Sequence, residues 1–221
     1  MDPSFLWNEL VPALNDGLIM SLLLILPSAC IGLVLGILAG FSRTFGPPWL
    51  SRVASAYAAV FRGTPLLVQL FMLYFGLPGI GIYLTPYIAA ITGFSLCSGA
   101  YHSEYIRGAL LSIKSGQIRA AESLGFSRIK TMLHIVLPQA LRRALPGVGN
   151  ELIYLIKYSS LAYIITCIEL TGEGKILAAR TFRYTEVFLV VGFYYLVLVS
   201  LASIGLRKLE DMLRVPGFGK G

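Results

Sequence analysis

Two long stretches without any charged side chain limit how this chain can fold. One runs from Gly17 to Ser42, and the other covers the 39 residues from Gly63 to Tyr101. An α-helix needs about 20 apolar residues to cross the ~30 Å hydrocarbon core of a bilayer. Only 13% of the chain is charged, whereas roughly 25% is usual in soluble domains. The sequence therefore predicts an all-α, polytopic membrane protein.

Helix length then predicts five transmembrane helices. The 39-residue stretch is too long for one crossing at about 1.5 Å per residue, and the Gly- and Pro-rich segment from Gly76 to Pro86 marks a turn inside it. The second span is expected to begin as an interfacial helix near Val53 and to be kinked at Pro65. The predicted spans cover about 17–42, 53–76, 87–113, 146–167 and 187–206.

The positions of the basic residues predict the orientation. Of the 18 basic residues, 14 lie on one side of the predicted membrane, in the segments 42–62, 107–143 and 207–220. Cytoplasmic loops of membrane proteins carry the excess of Lys and Arg, so the N-terminus is expected outside and the C-terminus in the cytoplasm. The same rule accounts for the net charge of +7 without a nucleic-acid partner.

These boundaries divide the chain into three parts. Residues 1–16 are expected to form an external N-terminal segment, and residues 211–221 a cytoplasmic tail. Between them, residues 17–210 form the transmembrane domain, which includes a cytoplasmic loop over 114–139. No cleavable signal peptide is expected, because the first 16 residues contain neither Lys nor Arg and no short apolar core before a cleavage site.

The cytoplasmic loop has a distinctive spacing between Gly116 and Pro138. Ala120-Ala121 is followed after three residues by Gly125, and after nine more by an Ile-x-Leu-Pro run that ends at Pro138. This spacing resembles the "EAA---G---------I-LP" loop of ABC-importer permeases, the cytoplasmic segment that docks on an ATPase subunit. By their chemistry, Gly125 can adopt a positive φ and Pro138 can start the next helix.

Four further strings resemble the polar amino-acid branch of these permeases, the histidine, glutamine and arginine type. They occur in order over Phe61 to Pro78, Ala100 to Ile113, Leu137 to Leu161 and Glu169 to Phe188. The resemblance implies the type I ABC-importer permease fold and a multi-pass subunit of the bacterial cytoplasmic (inner) membrane.

The chain departs from that pattern at two places. Arg119 stands where the docking loop usually has Glu, which puts a salt bridge from that position to the ATPase in doubt. A run that is often Lys-Asp-Thr-Ser reads Lys157-Tyr158-Ser159-Ser160, which removes a carboxylate that could neutralise Lys157.

The resemblance also implies partners. The chain is expected to be a transport subunit and not an enzyme, with ATP and Mg bound by two separate ATP-binding subunits. Five spans are too few to enclose a path for a polar solute, so a second permease is expected, either a copy or a paralogue. An external or periplasmic amino-acid-binding protein would deliver the substrate. The sequence does not identify the amino acid.

The expected docking residues follow from the loop motif. Ala120 and Ala121 are small enough for close helix approach, and Leu124 and Phe126 supply apolar knobs. The alternative is an ordinary basic loop that is anchored to lipid headgroups. The predicted docking set is Arg119, Ala120, Ala121, Glu122, Leu124, Gly125 and Phe126.

A second candidate site surrounds Lys157, which lies about eleven residues into the fourth predicted span and so near the membrane midplane. Intramembrane charges usually face the bundle interior or a water-filled path. The predicted substrate path comprises Lys157, Ser159, Ser160, Glu104 and Glu151. Alternatively, Lys157 pairs with Glu151 or Glu104 and fixes helix packing. Glu104 is also expected to pair with Arg107, three residues later on the same helix face, or to tie to the docking loop.

No metal or ATP site is expected in this chain. The cysteines Cys30, Cys97 and Cys167 lie in hydrophobic segments and read as small buried side chains. The run Gly172 to Lys175 resembles the end of a phosphate-binding loop, but Glu169 stands at the position of its first glycine and Ile176 where Ser or Thr is required.

Two other classes of protein fit less well. An ion-coupled secondary carrier would often show internal repeats, which are not evident here, and it has no need of a docking loop. A membrane scaffold without transport would not require polar residues near Lys157.

Overall fold

A computed structural model describes residues 2–213, and all of the regular elements in that part are helices. Several helices contain short π or 3₁₀ turns, which we include in the helix that they continue. The eight helices are α1 (Pro3–Phe45), α2 (Pro48–Gly63), α3 (Leu66–Ile80), α4 (Pro86–Leu111), α5 (Ser115–Ser123), α6 (Arg128–Ile165), α7 (Leu170–Thr181) and α8 (Tyr184–Leu213).

Helix α1 begins much earlier than the predicted first span. Asp2 caps it by accepting a hydrogen bond from the amide of Ser4 at 3.0 Å, and the helix then continues for 43 residues. Its first turns bury Leu10 and Leu14 against the core shared with α7 and α8. The predicted N-terminal segment is therefore mostly helical, because its apolar side chains have a protein surface to cover.

The second predicted span is broken. The direction of the chain bends by 104° between helices α2 and α3. Pro65 lies at this bend, where a kink was expected. Proline has no backbone N–H, so it cannot continue the hydrogen-bond ladder of the preceding helix. A turn then follows α3, in which Gly81 has a φ of 85°, and α4 starts at Pro86.

Helix α4 occupies the centre of the molecule and contacts α1 along a stripe of glycines. Gly32, Gly36 and Gly40 are spaced four residues apart on α1 and all are buried. Helix α4 meets this stripe with Ser98, His102 and Ile106. Small residues at this spacing allow two helix backbones to approach closely.

A second break separates α6 from α7, which are bent by 52°. Thr166 lies at this break with a φ of 65°. The buried carboxylate of Glu169 caps α7 and accepts hydrogen bonds from the amides of Thr171 at 2.9 Å and Gly172 at 3.0 Å. It also accepts one from the hydroxyl of Tyr195 at 2.9 Å, which ties α7 to α8.

The number of membrane crossings stays a prediction. By length and composition, α1 and α8 can each cross a membrane, and the count rises to four if each bent pair is one span. Helix α4, the third predicted span, contains the buried polar residues Ser95, Ser98, His102 and Ser103. These residues lower its hydropathy and fit its central position, where protein and not lipid surrounds it. The predicted tail, 211–221, lies outside the described residues beyond Leu213.

Candidate docking segment and polar face

The predicted docking loop folds as a short helix, a tight turn and the start of a second helix. Gly125 has a φ of 82°, in the left-handed region that a glycine adopts without a steric penalty. The amide of Phe126 donates to the carbonyl of Ala121 at 3.1 Å, and that of Gly125 to Glu122 at 3.0 Å. These two amides satisfy carbonyls at the end of α5, as is usual where a helix ends at a glycine with a left-handed backbone conformation. The side chain of Ser127 then caps α6 by accepting from the amide of Lys130 at 3.4 Å.

The turn presents apolar side chains to the outside. Leu124 is 80% exposed, and Phe126 is 40% exposed. Arg119, Ala120 and Glu122 are exposed as well, whereas Ala121 is only 3% exposed because it packs inward. Ala121 therefore holds the turn in place and does not form part of its outer surface.

Two further exposed apolar residues belong to the same surface and were missed from the sequence. Ile129 is 72% exposed and Leu133 is 54% exposed. Their spacing of four residues within a basic segment was the available signal. We call Leu124, Phe126, Ile129 and Leu133 the docking knobs.

The predicted docking segment is attached to the C-terminal end of α4 and the N-terminal part of α6. Ile118 and Met132 pack against a core that includes Ile113 and Val136. Arg143 of α6 donates from one guanidinium nitrogen to the carbonyl and to the hydroxyl of Ser112, each at 2.8 Å. A displacement of the docking segment would therefore be transmitted directly to both helices.

Glu104 forms the centre of a charged cluster. The expected pair with Arg107 is present, with Nε to Oε2 at 3.3 Å. Two unpredicted arginines join it, since Arg43 of α1 lies at 2.7 Å and Arg62 of α2 at 2.5 Å from Oε1. Arg43 also donates to the hydroxyl of Ser103 at 3.0 Å. The cluster ties α1, α2 and α4 together, so Glu104 has a structural role whether or not it meets substrate.

Lys157 does not form either of the ion pairs considered from the sequence. No carboxylate within residues 2–213 lies within 4.0 Å of its ammonium group. The side chain is exposed, and Nζ lies 4.6 Å from the centre of the Tyr154 ring. That ring stacks on Tyr158 with centroids 5.9 Å apart. Lys157 thus reaches the molecular surface over a tyrosine pair.

The remaining predicted path residues lie in different surroundings. Glu151 is 2% exposed, and it is close enough to Tyr105 and Tyr158 to interact with them electrostatically. Ser159 is fully buried and donates to the carbonyl of Ile156 at 2.8 Å. Ser160 donates to the carbonyl of Lys157 at 2.7 Å. The structure therefore does not place all five predicted residues on one surface.

The exposed residues on this side of the molecule define a polar face. It comprises the exposed break at 62–65 and the half-buried α4 residues Tyr101 and Glu104, which Arg62 contacts, and we include with it the exposed α6 residues Tyr154 and Lys157. The guanidinium of Arg62 lies 5.6 Å from the centre of the Tyr101 ring, which connects α2 to α4. Within the described part of the chain, no group of three His, Cys, Asp or Glu residues could hold a metal ion. Cys97 and Cys167 are buried as expected, but Cys30 is exposed.

The helical architecture agrees with comparisons to known proteins. A family model described as "binding-protein-dependent transport system inner membrane component" matches residues 32–215. The chain belongs to this family. It is an ABC-importer permease, which confirms the resemblance inferred from the sequence.

Relatives and solved structures match nearly the whole chain. The glutamine transport system permease protein of Escherichia coli (strain K12) is 40% identical over 97% of this chain and 98% of its own length. The octopine transport system permease protein of Rhizobium radiobacter is 40% identical over 89% of this chain and 84% of its own length. A crystal structure of an amino acid ABC transporter with histidines has a TM-score of 0.87 at 33% identity and covers 96% of this chain and 100% of that chain. The MetNI methionine ABC transporter, at 22% identity and a TM-score of 0.80 over 97% of this chain and 100% of that chain, shares the fold.

Proposed function

We propose that this chain is the permease subunit of an ATP-driven, binding-protein-dependent importer of a polar amino acid in the bacterial inner membrane. The observation that carries the proposal is the turn at Gly125, which holds Leu124 outward with 80% of its surface exposed. Large apolar side chains grouped on a basic surface mark an interaction site more often than a solvated loop. The amino-acid permeases among the relatives support the substrate class.

Transport would follow from movement and not from chemistry in this chain. ATP and Mg bind to two partner subunits, whose closure pushes on the docking segment. The segment passes that movement to α4 and α6 through the core around Ile113 and through the bonds from Arg143 to Ser112. The spans then alternate between inward-open and outward-open arrangements, and nucleotide biases this equilibrium. A second permease, either a copy or a paralogue, completes the path, and an external binding protein delivers the amino acid.

The polar face is the best candidate for the side that lines the path. Intramembrane charges are costly next to lipid and usually face a water-filled cavity or the bundle interior. We propose that Lys157 and Glu151 contribute to the path, with Glu104 at its cytoplasmic end. Ser159 and Ser160 shape the 3₁₀ segment that follows Lys157, since both hydroxyls bond to carbonyls of their own helix.

The test is the ATPase activity of the complex reconstituted in lipid with its co-encoded ATPase and binding protein. We expect one amino acid of a panel to stimulate hydrolysis and to be taken up. Leu124→Glu should abolish both responses, because a charge replaces the apolar knob at the docking turn. Leu124→Met, which keeps the volume and the apolar character, should retain them. Uptake driven by an ion gradient without any associated ATPase would refute the proposal and favour a secondary carrier.

A further inference from the structure

The break between α2 and α3 lies beside the middle of α4, the third predicted span, and is exposed. Cys97, in the middle of α4, has its Sγ 3.9 Å from the carbonyl oxygen of Phe61, which places the end of α2 well inside the bundle height. Residues 62–65 are all exposed. Non-helical backbone at this depth is tolerated only where it is buried in protein or lines a water-filled cavity. The break therefore faces the path or another protein surface and not lipid.

One side chain satisfies the carbonyls that the break leaves free. In a continuous helix, the carbonyl of Phe61 would accept a hydrogen bond from the amide of residue 65. Residue 65 is a proline and has no N–H, so this bond cannot form. The side-chain nitrogen of Gln69 donates to the carbonyl of Phe61 at 2.8 Å and to the carbonyl and hydroxyl oxygens of Thr64 at 3.0 Å each. The Thr64 hydroxyl itself donates to Val60 at 2.8 Å, so it can only accept from Gln69.

The orientation of the Gln69 amide follows from these partners. All three neighbours are acceptors, so the nitrogen and not the oxygen of the amide must face them. Gln69 is 7% exposed, and its Oε1 has no hydrogen-bond partner within residues 2–213. A buried polar group without a partner is costly, and Gln69 is nevertheless held in this orientation. Its hydrogen bonds are thus all directed at the break.

The residues that Gln69 holds flank Arg62. Arg62 lies between Phe61 and Thr64, and its guanidinium reaches Glu104 and the Tyr101 ring on the polar face. Gln69 fixes the carbonyls on both sides of Arg62, at Phe61 and at Thr64. Arg62 lies within α2, which ends at Gly63, so its direction follows α2, and the bend sets the angle of α2 against α3.

We propose that Gln69 is a positioning residue of the translocation path, which holds the bend at Pro65 and thereby keeps Arg62 on Glu104. The proposal rests on the proposed transport function. It gives Gln69 a role beyond stability, because an equally stable but straight helix would change the angle between α2, which carries Arg62, and α3. The positioning role and a purely stabilising role can be separated by a variant in which a backbone N–H at residue 65 bonds to the carbonyl of Phe61.

The experiment compares two variants in the complete complex, reconstituted with the ATPase and binding protein. Gln69→Met keeps a similar length but removes the donor, and it should lower both the melting temperature and the ATP-driven uptake rate. Gln69→Met combined with Pro65→Ala gives residue 65 an N–H, which can bond to the carbonyl of Phe61 and continue the helix. Pro65→Ala alone retains Gln69 and serves as the control, with the bend and uptake preserved.

The bend is measured directly by the distance between spin labels. Labels at Val53 and Phe75, which are 61% and 58% exposed, flank the break by similar lengths of helix. The cysteines Cys30, Cys97 and Cys167 are replaced by alanine, and the labelled chain is diluted with unlabelled permease. The wild-type bend of 104° should then give about 20 Å between the backbones at the two labelled positions, against about 33 Å for a straight helix.

We expect the double variant to recover its melting temperature, to show a distance longer by about 10 Å, and to remain roughly tenfold or more below wild type in uptake. Recovery of uptake together with stability would overturn the proposal, since Gln69 would then act only as a hydrogen-bond substitute. An unchanged short distance in the double variant would overturn it as well. Absence of ATP-driven uptake in the wild type would refute the proposed function, while the spin-label distance would still show whether Gln69 holds the bend.

Discussion

The close contact between α1 and α4 at Gly36 leads to a sharp prediction for Gly36→Ala. A Cβ placed on Gly36 would overlap the Cβ of His102, and it would lie 3.1 Å from the carbonyl oxygen of Gly99. Both obstacles are attached to the backbone of α4, so no rotation of a flexible side chain relieves them. The two helices must therefore separate, although alanine is the better helix former by about 1 kcal/mol.

The expected loss of stability can be estimated from overpacking in close-packed interiors. Adding atoms to a filled core costs about 1–3 kcal/mol, and for 150–250 residues each kcal/mol corresponds to roughly 2–4 °C in melting temperature. Gly36→Ala should therefore melt about 2–12 °C below the wild type. Gly32→Ala should lose less, because its added Cβ would lie 3.1 Å from the Cβ and Oγ of Ser98, so the two helices need to shift by only a few tenths of an ångström.

The assay is thermal unfolding of the purified complex in detergent, followed by the loss of the monodisperse peak in size-exclusion chromatography. Gly192→Ala is the matched control, since Gly192 lies within a helix and nothing would contact its added Cβ within 4 Å. It should match or exceed the wild type. A Gly36→Ala protein that melts with the Gly192→Ala control would refute the idea that the glycine stripe sets the distance between the helices.

Three other substitutions test contacts that the structure reveals. Glu169→Ala should cost about 2–3 kcal/mol in unfolding free energy, because it removes a helix cap and the hydrogen bond from the Tyr195 hydroxyl; Glu169→Gln should lose less in the same thermal assay, and equal losses would contradict the capping role. Arg43→Gln should destabilise the complex more than Arg62→Gln, since the Arg43 side chain is 10% exposed and that of Arg62 is 38% exposed; the reverse order of melting temperatures would contradict this reasoning. Phe182→Asn should raise the melting temperature by a few degrees, because Phe182 has a φ of 57° and is 85% exposed, and a non-glycine residue pays about 1–2 kcal/mol in that region unless it is Asn or Asp; an unchanged or lower melting temperature would show that the ring has a stabilising contact.

Much of the docking segment could be predicted from the sequence because its determinants are local. Gly125 takes up a left-handed turn without a steric penalty, and Leu124 is exposed because it is next to that turn. Ile129 and Leu133 were missed, since their spacing of four residues places them on one helix face but does not reveal whether that face points inward or outward. We propose that an ATPase subunit covers these residues.

The candidate path was predicted less well because its residues depend on packing. Lys157 was chosen from the sequence as a deeply placed charge, but only the structure shows that it lies over Tyr154 and forms no ion pair with Glu104 or Glu151. Ser159 follows only two residues later and is buried, whereas Lys157 is exposed. A helix turns by about 100° per residue, so neighbours in sequence are separated unless they recur at three or four residues.

The sequence by itself determined that this chain is helical and suited to a membrane. The free energy of transferring a helix into lipid is a sum over about 20 consecutive residues and does not depend on a packing partner. It also determined the turn at Gly125, where a glycine ends the short helix of the loop. Only the tertiary structure decided that Arg43 and Arg62 share Glu104 and that Gly36 meets His102. These contacts join residues 42 to 66 positions apart, and no local pattern specifies which face of one helix will meet which face of another.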